Sequence, residues 1–219
     1  MRPLEVRGNV LVLAPHADDE VVGCGGMLAR HLLGGGGAAV LYVTRADAER
    51  AREAEQARAR LGKLDVFGLN CTEGKVEAEA GTVAALVDCI VQRTPSAVFV
   101  PAFEDLHPDH RRTHQLLAAA LRRLGPGTSR NEIRVVCYEG LAPLGQVTSR
   151  ADISECAERK WAALACFASQ ERLYRLVEVC QALNRYRALT SMRRAVRFAE
   201  AFQEYELQAY LEQERTQPS

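Results

Sequence analysis

The sequence predicts an α/β fold in which a mostly parallel sheet is flanked by helices. Short apolar segments alternate with longer amphipathic segments through the first two thirds of the chain, and a helical pattern then runs from about 153 to 213. Strands that alternate with helices usually lie parallel in one sheet, because each helix carries the chain back to the start of the next strand. We therefore expect one domain over residues 1–219, whose helical last third packs on the sheet.

Each predicted element has its own local signal. Strands are expected where runs rich in Val, Leu and Phe are bounded by turn residues, at 9–14, 38–44, 64–69, 97–101 and 133–138. Helices are expected where apolar residues or charge pairs recur with helical spacing, at 21–33, 47–61, 79–93 and 109–124. Glycine-rich breakers end two of these helices, at Gly34–Gly37 and at Gly125-Pro126-Gly127.

The composition excludes several classes of function. Lys and Arg number 28, as do Asp and Glu, so the formal net charge is zero and gives no basic excess for nucleic acid. The sequence has no apolar run of about 18 residues and no apolar signal-peptide core near its first residue. Seven cysteines without a Cys-x-x-Cys pair indicate reduced thiols. We expect a cytoplasmic protein that binds neither nucleic acid nor a membrane.

Two clusters of histidine and acidic residues follow predicted strands. His16-Ala17-Asp18-Asp19-Glu20 follows the first strand, and His107-Pro108-Asp109-His110 follows the fourth by a few residues. Ligands of open α/β sheets bind beyond the carboxyl ends of the strands, so the two clusters are expected to meet there. Catalytic zinc sites use three His or carboxylate ligands and leave one position for water. We expect His16, Asp19 and His110 to bind zinc, with Fe²⁺ as an alternative for the same ligand set.

The other polar residues of the clusters are expected to carry out the chemistry. A metal ion lowers the pKa of bound water from about 15.7 to about 7, and Asp18 is expected to act as general base on that water. His107 is expected to stabilise an oxyanion or to protonate the leaving group, with Asp109 orienting it. A simpler interpretation is that the aspartates cap the helices that begin beside them. That interpretation explains one residue at a time better than it explains both clusters together.

The glycines after the first cluster allow a different interpretation, a nucleotide-binding turn. Gly23-Cys24-Gly25-Gly26 lacks the G-x-G-x-x-G spacing of that turn. A helix N-terminus that binds phosphate is also kept free of acid, whereas three consecutive acids precede this turn. We expect Gly25 and Gly26 to permit close helix packing below the metal site.

These residues resemble the motifs of the PIG-L/LmbE-like family of metal-dependent N-deacetylases. The first family motif, His-Pro-Asp-Asp-Glu with a glycine-rich turn, is matched by residues 15–26, with Ala17 in place of proline. The second, His-x-Asp-His, is matched by residues 107–110. Weaker similarity at Arg50, Lys160 and Glu200 extends the resemblance over almost the whole chain.

The resemblance implies a Rossmann-like fold and the removal of an acetyl group from an N-acetylglucosamine-type sugar conjugate by attack of zinc-bound water. It gives the same roles as the chemistry does: zinc ligation to His16, Asp19 and His110, general base or acid to Asp18, and oxyanion stabilisation to His107 with Asp109 behind it. Ala17 and the stretch 104–110 are most similar to the bacillithiol-pathway branch, whose substrate is N-acetylglucosaminyl-malate.

Two further residues are expected to bind the substrate. Arg50 is expected to hold an anionic or hydroxyl-rich part of it, although an arginine on an exposed helix surface would fit the same sequence. Glu73 lies near the position where many relatives have an aspartate that contacts the sugar. Relatives often form trimers or hexamers, so a homo-oligomer is expected, although the sequence indicates no particular interface.

Several alternatives remain at this level. The substrate would differ if the protein deacetylated an antibiotic or another N-acetylated amino-sugar metabolite. The reaction would differ if the protein were a metal-dependent phosphohydrolase, which more often needs two metal ions and a richer ligand set. A non-catalytic sugar-binding module is the third possibility, although every expected catalytic position is filled.

Overall fold

The structure is a computed structural model and describes residues 2–124 and 133–217. Its strands are β1 (Arg2–Pro3), β2 (Asn9–Ala14), β3 (Gly37–Thr44), β4 (Asp65–Cys71), β5 (Ala97–Pro101), β6 (Arg134–Tyr138), β7 (Ser149–Asp152) and β8 (Ala199–Tyr205). Its helices are α1 (Asp19–Leu33), α2 (Ala48–Leu61), α3 (Ala80–Arg93), α4 (Pro108–Arg123), α5 (Ala157–Leu164), α6 (Ala168–Tyr174), α7 (Leu176–Leu189) and α8 (Leu207–Arg215). The predicted breaker Gly125-Pro126-Gly127 lies outside the described residues.

The strand order explains why the two sequence clusters meet. The order in the sheet is β1-β7-β8-β6-β5-β2-β3-β4, and all pairs are parallel except those that β8 makes. Val10 of β2 lies opposite Ala38 of β3 on one side and Ala97 of β5 on the other. The chain thus builds the sheet outward from β2 in one direction and then crosses to build it in the other. Ligands bind at such a switch point, beyond the carboxyl ends of the two strands.

Both faces of the sheet are covered, which explains the nearly continuous apolar runs of the central strands. Alternate residues of β2 point to opposite faces: Val10 and Val12 join one core with α1, α2 and α5. Leu11 and Leu13 join the other core, with α3, α4 and α8. A strand buried on both faces has no polar side, so its sequence is apolar at every position.

The last third is mainly helical, as predicted, but it also contains a strand that the sequence analysis missed. Residues 199–205, Ala-Glu-Ala-Phe-Gln-Glu-Tyr, form β8, which lies antiparallel between β6 and β7. Val136 of β6 lies opposite Glu204, and Ala151 of β7 lies opposite Glu200. Pairing on both edges overrides the helical preference of Ala, Glu and Gln, because strand propensity depends strongly on tertiary context.

Helix α1 packs closely against the sheet at two glycines. A Cβ atom on Gly23 would lie 2.1 Å from Tyr138 Cδ2, and one on Gly26 would lie 2.7 Å from Ile153 Cδ1. Close packing at Gly26 was expected. Gly25, the other expected position, is less restricted, since its Cβ would lie 3.2 Å from Val21 Cγ1. The helix therefore makes its closest contacts at Gly23 and Gly26.

The same helix is interrupted, and a buried ion pair satisfies the backbone groups at the interruption. Cys24 has non-helical φ and ψ of −142° and 19°. The Glu200 carboxylate accepts from the backbone N–H groups of Gly26, at 2.8 Å, and Met27, at 2.7 Å. Lys160 Nζ donates to Glu200 Oε1 and to the carbonyl of Val22, both at 2.7 Å. Helical backbone groups that lose their intrahelical partners need replacements when buried, and this pair provides them.

Two further observations concern membrane-spanning helices and the cysteines. Within the described ranges, no helix is long and apolar enough to cross a membrane. All seven cysteines are free thiols, as their scattered positions predicted.

Candidate metal centre and active site

A cavity of about 340 Å³ opens beyond the carboxyl ends of β2 and β5. The loop after β2 provides its first cluster, and the start of α4 provides its second. All the predicted site residues except Asp109 line this cavity: His16, Asp18, Asp19, Arg50, Glu73, His107 and His110. Asp109 is nearly fully buried directly behind them. The structure therefore brings together all eight residues that the sequence analysis selected.

Three donor atoms form a compact triangle in this cavity. His16 Nδ1 lies 3.4 Å from Asp19 Oδ2, and His110 Nε2 lies 3.3 Å from each of these two atoms. Ligands around a tetrahedral zinc ion, each at about 2.0–2.2 Å, lie about 3.3–3.5 Å apart. The spacing and chemistry of the three atoms therefore fit a zinc-sized ion.

Each histidine of the triangle also contacts a further carboxylate through its other ring nitrogen. Asp105 Oδ2 lies 2.8 Å from His110 Nδ1, and Asp109 Oδ2 lies 3.0 Å from His16 Nε2. A carboxylate accepts the ring N–H on its side, which leaves the other ring nitrogen with a lone pair. That lone pair then faces the triangle, on Nε2 of His110 and on Nδ1 of His16. Carboxylates behind histidine ligands are typical of metal sites in proteins.

This arrangement corrects one expectation and adds one residue. Asp109 was expected to orient His107, but its carboxylate contacts His16 and the backbone N–H of Gly74, the latter at 2.8 Å. The link to His107 runs through the backbone, since the Asp109 N–H donates to His107 Nδ1 at 3.2 Å. Asp105 was given no role from the sequence. The available signals were its position two residues before a site histidine and its place in the stretch 104–110 that resembles the family.

His107 has the geometry of a neutral hydrogen-bond donor. It is the N-cap residue of α4, and its Nδ1 accepts the bond from Asp109. A neutral ring that accepts at Nδ1 carries its proton on Nε2. Partial burial, followed by the nearby rings of His16 and His110, lowers the pKa of His107, which favours this neutral form.

A wider set of donors includes His107. Nitrogens of His16, His107 and His110 all lie within 4.8 Å of one another and could hold a metal ion. The triangle with Asp19 is tighter, and it leaves His107 available to the substrate.

The electrostatics of the triangle favour a cation. Burial lowers the pKa of His16 and His110, but neighbouring carboxylates outweigh it and raise these pKa values to about 9 and about 10. Burial opposes ionisation of Asp19, yet the two histidines hold its pKa far below the usual range. Groups that bind protons this strongly show that the site carries surplus negative charge. A divalent metal ion would supply the missing positive charge.

Asp18 lies beside the triangle in a different environment. Burial, and then the charge of Asp19, raises the pKa of Asp18 to about 6, although Arg50 opposes the shift. Arg50 Nη1 donates to Asp18 Oδ2 at 2.8 Å and to the carbonyl of Ala17 at 3.3 Å. A carboxylate with a pKa near neutrality is suited to take and return a proton.

Glu20, the third consecutive acid, points away from the cavity. It is fully buried, and Tyr42 donates its hydroxyl proton to Glu20 Oε1 at 2.6 Å. Burial raises its pKa to about 8. It lies in the first turn of α1, where the helix dipole favours an acidic residue.

The family comparison covers both clusters of the site. A family model described as PIG-L, GlcNAc-PI de-N-acetylase, matches residues 11–121. The crystal structure of the conserved protein TT1542 from Thermus thermophilus is 30% identical, with a TM-score of 0.77, and the match covers 88% of this chain and 92% of that chain.

Two other solved structures share the fold at lower identity. GalB, the 4-carboxy-2-hydroxymuconate hydratase from Pseudomonas putida KT2440, is 22% identical with a TM-score of 0.78, covering 90% of this chain and 95% of that chain. The N,N'-diacetylchitobiose deacetylase from Pyrococcus horikoshii is 20% identical with a TM-score of 0.75, covering 92% of this chain and 85% of that chain. One fold thus carries different reactions, so the function must be argued from the site. The family match, however, spans half of the chain and both clusters that build this site, and the protein therefore belongs to the PIG-L family.

Proposed function

We propose that the protein is a metal-dependent N-deacetylase that acts on an N-acetylglucosamine-type sugar conjugate. The observation that supports it most is the triangle of His16 Nδ1, Asp19 Oδ2 and His110 Nε2, with atoms 3.3–3.4 Å apart and Asp18 beside it. These three residues would hold the ion. Zinc suits a His₂-carboxylate set, and Fe²⁺ is the alternative. When bound, the ion supplies Lewis-acid chemistry, which polarises the acetyl carbonyl and makes water more acidic.

The protein groups around the ion would move the protons of the reaction. Asp18 takes a proton from the attacking water as the water oxygen bonds to the acetyl carbon. His107 donates from Nε2 to the carbonyl oxygen as it becomes negative. When the C–N bond breaks, the proton held by Asp18 passes to the sugar nitrogen. The products are acetic acid, which releases its proton to become acetate, and a free amine, so the atoms of one water molecule and one amide are all accounted for.

The sugar-binding roles of Arg50 and Glu73 belong to the same proposal. Both residues line the cavity, and Glu73 precedes Gly74, whose N–H holds Asp109. We assign them to the hydroxyl groups of the sugar. The chitobiose deacetylase of the same fold acts on a related N-acetylated sugar, which supports this substrate class. N-acetylglucosaminyl-malate is the first specific substrate to test, and an antibiotic or other amino-sugar metabolite is the alternative.

The phosphohydrolase alternative has less support. A second metal ion about 3.5–4 Å from the first would need further free ligands. Of the other aspartates at the site, Asp105 and Asp109 are each engaged by a histidine ring, and Asp18 is engaged by Arg50. We further propose that the enzyme acts in the cytoplasm as a homo-oligomer, as the family resemblance implies. Light scattering after size-exclusion chromatography tests the assembly.

Acetate release tests the proposed reaction. The zinc-loaded protein and its chelated form would be incubated with N-acetylglucosaminyl-malate and a small panel of N-acetylglucosamine glycosides. Metal-dependent acetate release in equal amounts with free amine is the expected result. A protein that holds one zinc ion per chain and releases no acetate from any of these amides would contradict the proposal.

A further inference from the structure

The cavity that holds the candidate metal centre has an apolar wall on one side. Leu106, before α4, is 80% exposed, and Leu141, after β6, is 42% exposed. Tyr174, at the end of α6, is 51% exposed, and Leu176 completes the wall. Single exposed apolar residues are common on protein surfaces. Several of them around one cavity that has a charged floor indicate a binding surface.

Hydrogen bonds fix the backbone on both sides of Tyr174. Glu53 of α2 accepts from Ser169 twice, from its backbone N–H at 2.8 Å and from its hydroxyl at 2.6 Å, which fastens the start of α6. At the other end of α6, Glu171 Oε2 accepts from the backbone N–H of Val177 at 3.0 Å. The junction that presents Tyr174 is therefore anchored on both sides, and an aromatic ring presented this way is ready to bind.

The charge of the cavity excludes an acidic partner for this wall. Among the described residues that line the cavity, Arg50 is the only lysine or arginine, and its Nη1 already binds Asp18. Four carboxylates line the same cavity, those of Asp18, Asp19, Asp105 and Glu73. With a divalent ion bound, negative charge still exceeds positive charge. A dianionic group such as malate would meet repulsion, and the arginine that lines the cavity is already paired with Asp18.

We propose that the group attached to the N-acetylated sugar is uncharged and apolar, an aryl or alkyl group that packs on Leu106, Leu141, Tyr174 and Leu176. This inference rests on the proposed deacetylase function and specifies its substrate class. The acetyl end of the substrate reaches the metal centre, and the apolar group lies along the wall. The specificity thus comes from residues in three separate segments of the chain that take no part in the chemistry.

The test compares three substrates that differ only in the attached group: the methyl, phenyl and malyl glycosides of N-acetylglucosamine. The readout is kcat/KM for acetate release by the zinc-loaded full-length protein. The phenyl glycoside is expected to exceed the methyl glycoside by at least about ten-fold, the factor that burying roughly 60 Å² of apolar surface provides. The malyl glycoside is expected to be the slowest of the three.

Two variants and one control assign the effect to the wall. Tyr174→Ala is expected to bring the phenyl-to-methyl ratio close to one. Tyr174→Lys is expected to raise the malyl-to-phenyl ratio by about ten-fold or more, because it supplies the missing cation. Leu189→Ala changes a leucine that is 63% exposed and lies at the end of α7, away from the cavity, and it should leave every ratio unchanged.

The results separate the two proposals. A malyl glycoside that reacts fastest, or a phenyl-to-methyl ratio that Tyr174→Ala leaves unchanged, would overturn the apolar specificity while the deacetylase function stands. No acetate from any of the three glycosides, with zinc bound, would overturn both.

Discussion

Two groups of buried charges contact helix α1 and differ in how they are balanced. At the start of the helix, the carboxylates around His16 and His110 raise the pKa of the two rings to about 9 and about 10, which indicates surplus negative charge. At its middle, Glu200 and Lys160 neutralise each other and also bind three backbone groups at 2.7–2.8 Å. Buried charge is costly unless it is paired and hydrogen-bonded. The balanced group therefore serves the structure, and the unbalanced group marks the place where something else must bind.

The change with the largest expected effect removes one of the three candidate metal ligands, His110. His110→Ala should abolish stoichiometric zinc binding and, with it, acetate release, because two donors remain where catalytic zinc sites use three. The loss of zinc affinity should exceed the 10–100-fold that an outer-shell partner typically accounts for. Zinc content after gel filtration and acetate release measure the two effects. Full activity with unchanged zinc content would show that the ion lies elsewhere.

The next test distinguishes the role of Asp18 as general base from the role of the metal ligands. Asp18→Asn should lower kcat by about 10²–10⁴-fold, the usual contribution of a general base, while zinc binding persists. Isothermal titration with zinc and steady-state kinetics on the same preparation provide the comparison. If Asp18→Asn keeps near-normal turnover, the base has been assigned to the wrong residue.

Changes to the buried pair of Glu200 and Lys160 should lower the stability of the protein. Glu200→Gln leaves Lys160 charged and buried, so the free energy of unfolding should fall by about 3–5 kcal/mol. The double change of Lys160→Met and Glu200→Gln should cost less than the sum of the two single changes, because the two residues are coupled. Urea unfolding measures all three variants.

A surface pair provides the matched control for that experiment. Asp65 accepts from Arg93 at 2.6 Å, but its side chain is 51% exposed. Asp65→Asn should change the free energy of unfolding by less than about 1 kcal/mol, because solvent screens exposed ion pairs. Equal losses in Asp65→Asn and Glu200→Gln would contradict a special role for the buried pair.

A smaller effect on zinc binding is expected for a carboxylate that supports the triangle. Asp105→Asn removes the charge that holds His110 Nδ1 at 2.8 Å, so zinc affinity should fall by about 10–100-fold without abolishing binding. Competition with a zinc chelator of known affinity resolves a change of this size. Unchanged affinity would mean that the ring of His110 is oriented by other contacts.

The sequence predicted which residues line the site, because most of the candidate residues lie in two short motifs at strand ends. Their residue types limit the possible metals, and the alternation of strands and helices places both motifs at one edge of the sheet. The roles of Asp105 and Asp109 were less accessible. Which ring a carboxylate faces depends on contacts that the motif does not contain or reveal: the N–H of Gly74 donates to Asp109, and the N–H of His107 donates to Asp105.

The missed strand has a related cause. Residues 199–205 carry Ala, Glu and Gln, which favour helices when considered alone. Their conformation is decided by β6 and β7 on either side, which are distant in sequence. The role of Glu200 could not be predicted either, because nothing near it in the chain shows that its partner is Lys160.

The position of β8 has a consequence for how the protein is made. Glu200 binds the backbone of Gly26, 174 residues earlier, so the first helix acquires its final contacts only when β8 is available. During synthesis on a ribosome, both candidate metal-binding motifs emerge long before the strand that stabilises α1. Long-range contacts of this kind slow folding. A nascent chain should therefore pass through a stage in which the candidate ligands have emerged but α1 still lacks Glu200, and zinc should be held firmly only after β8 has emerged and paired.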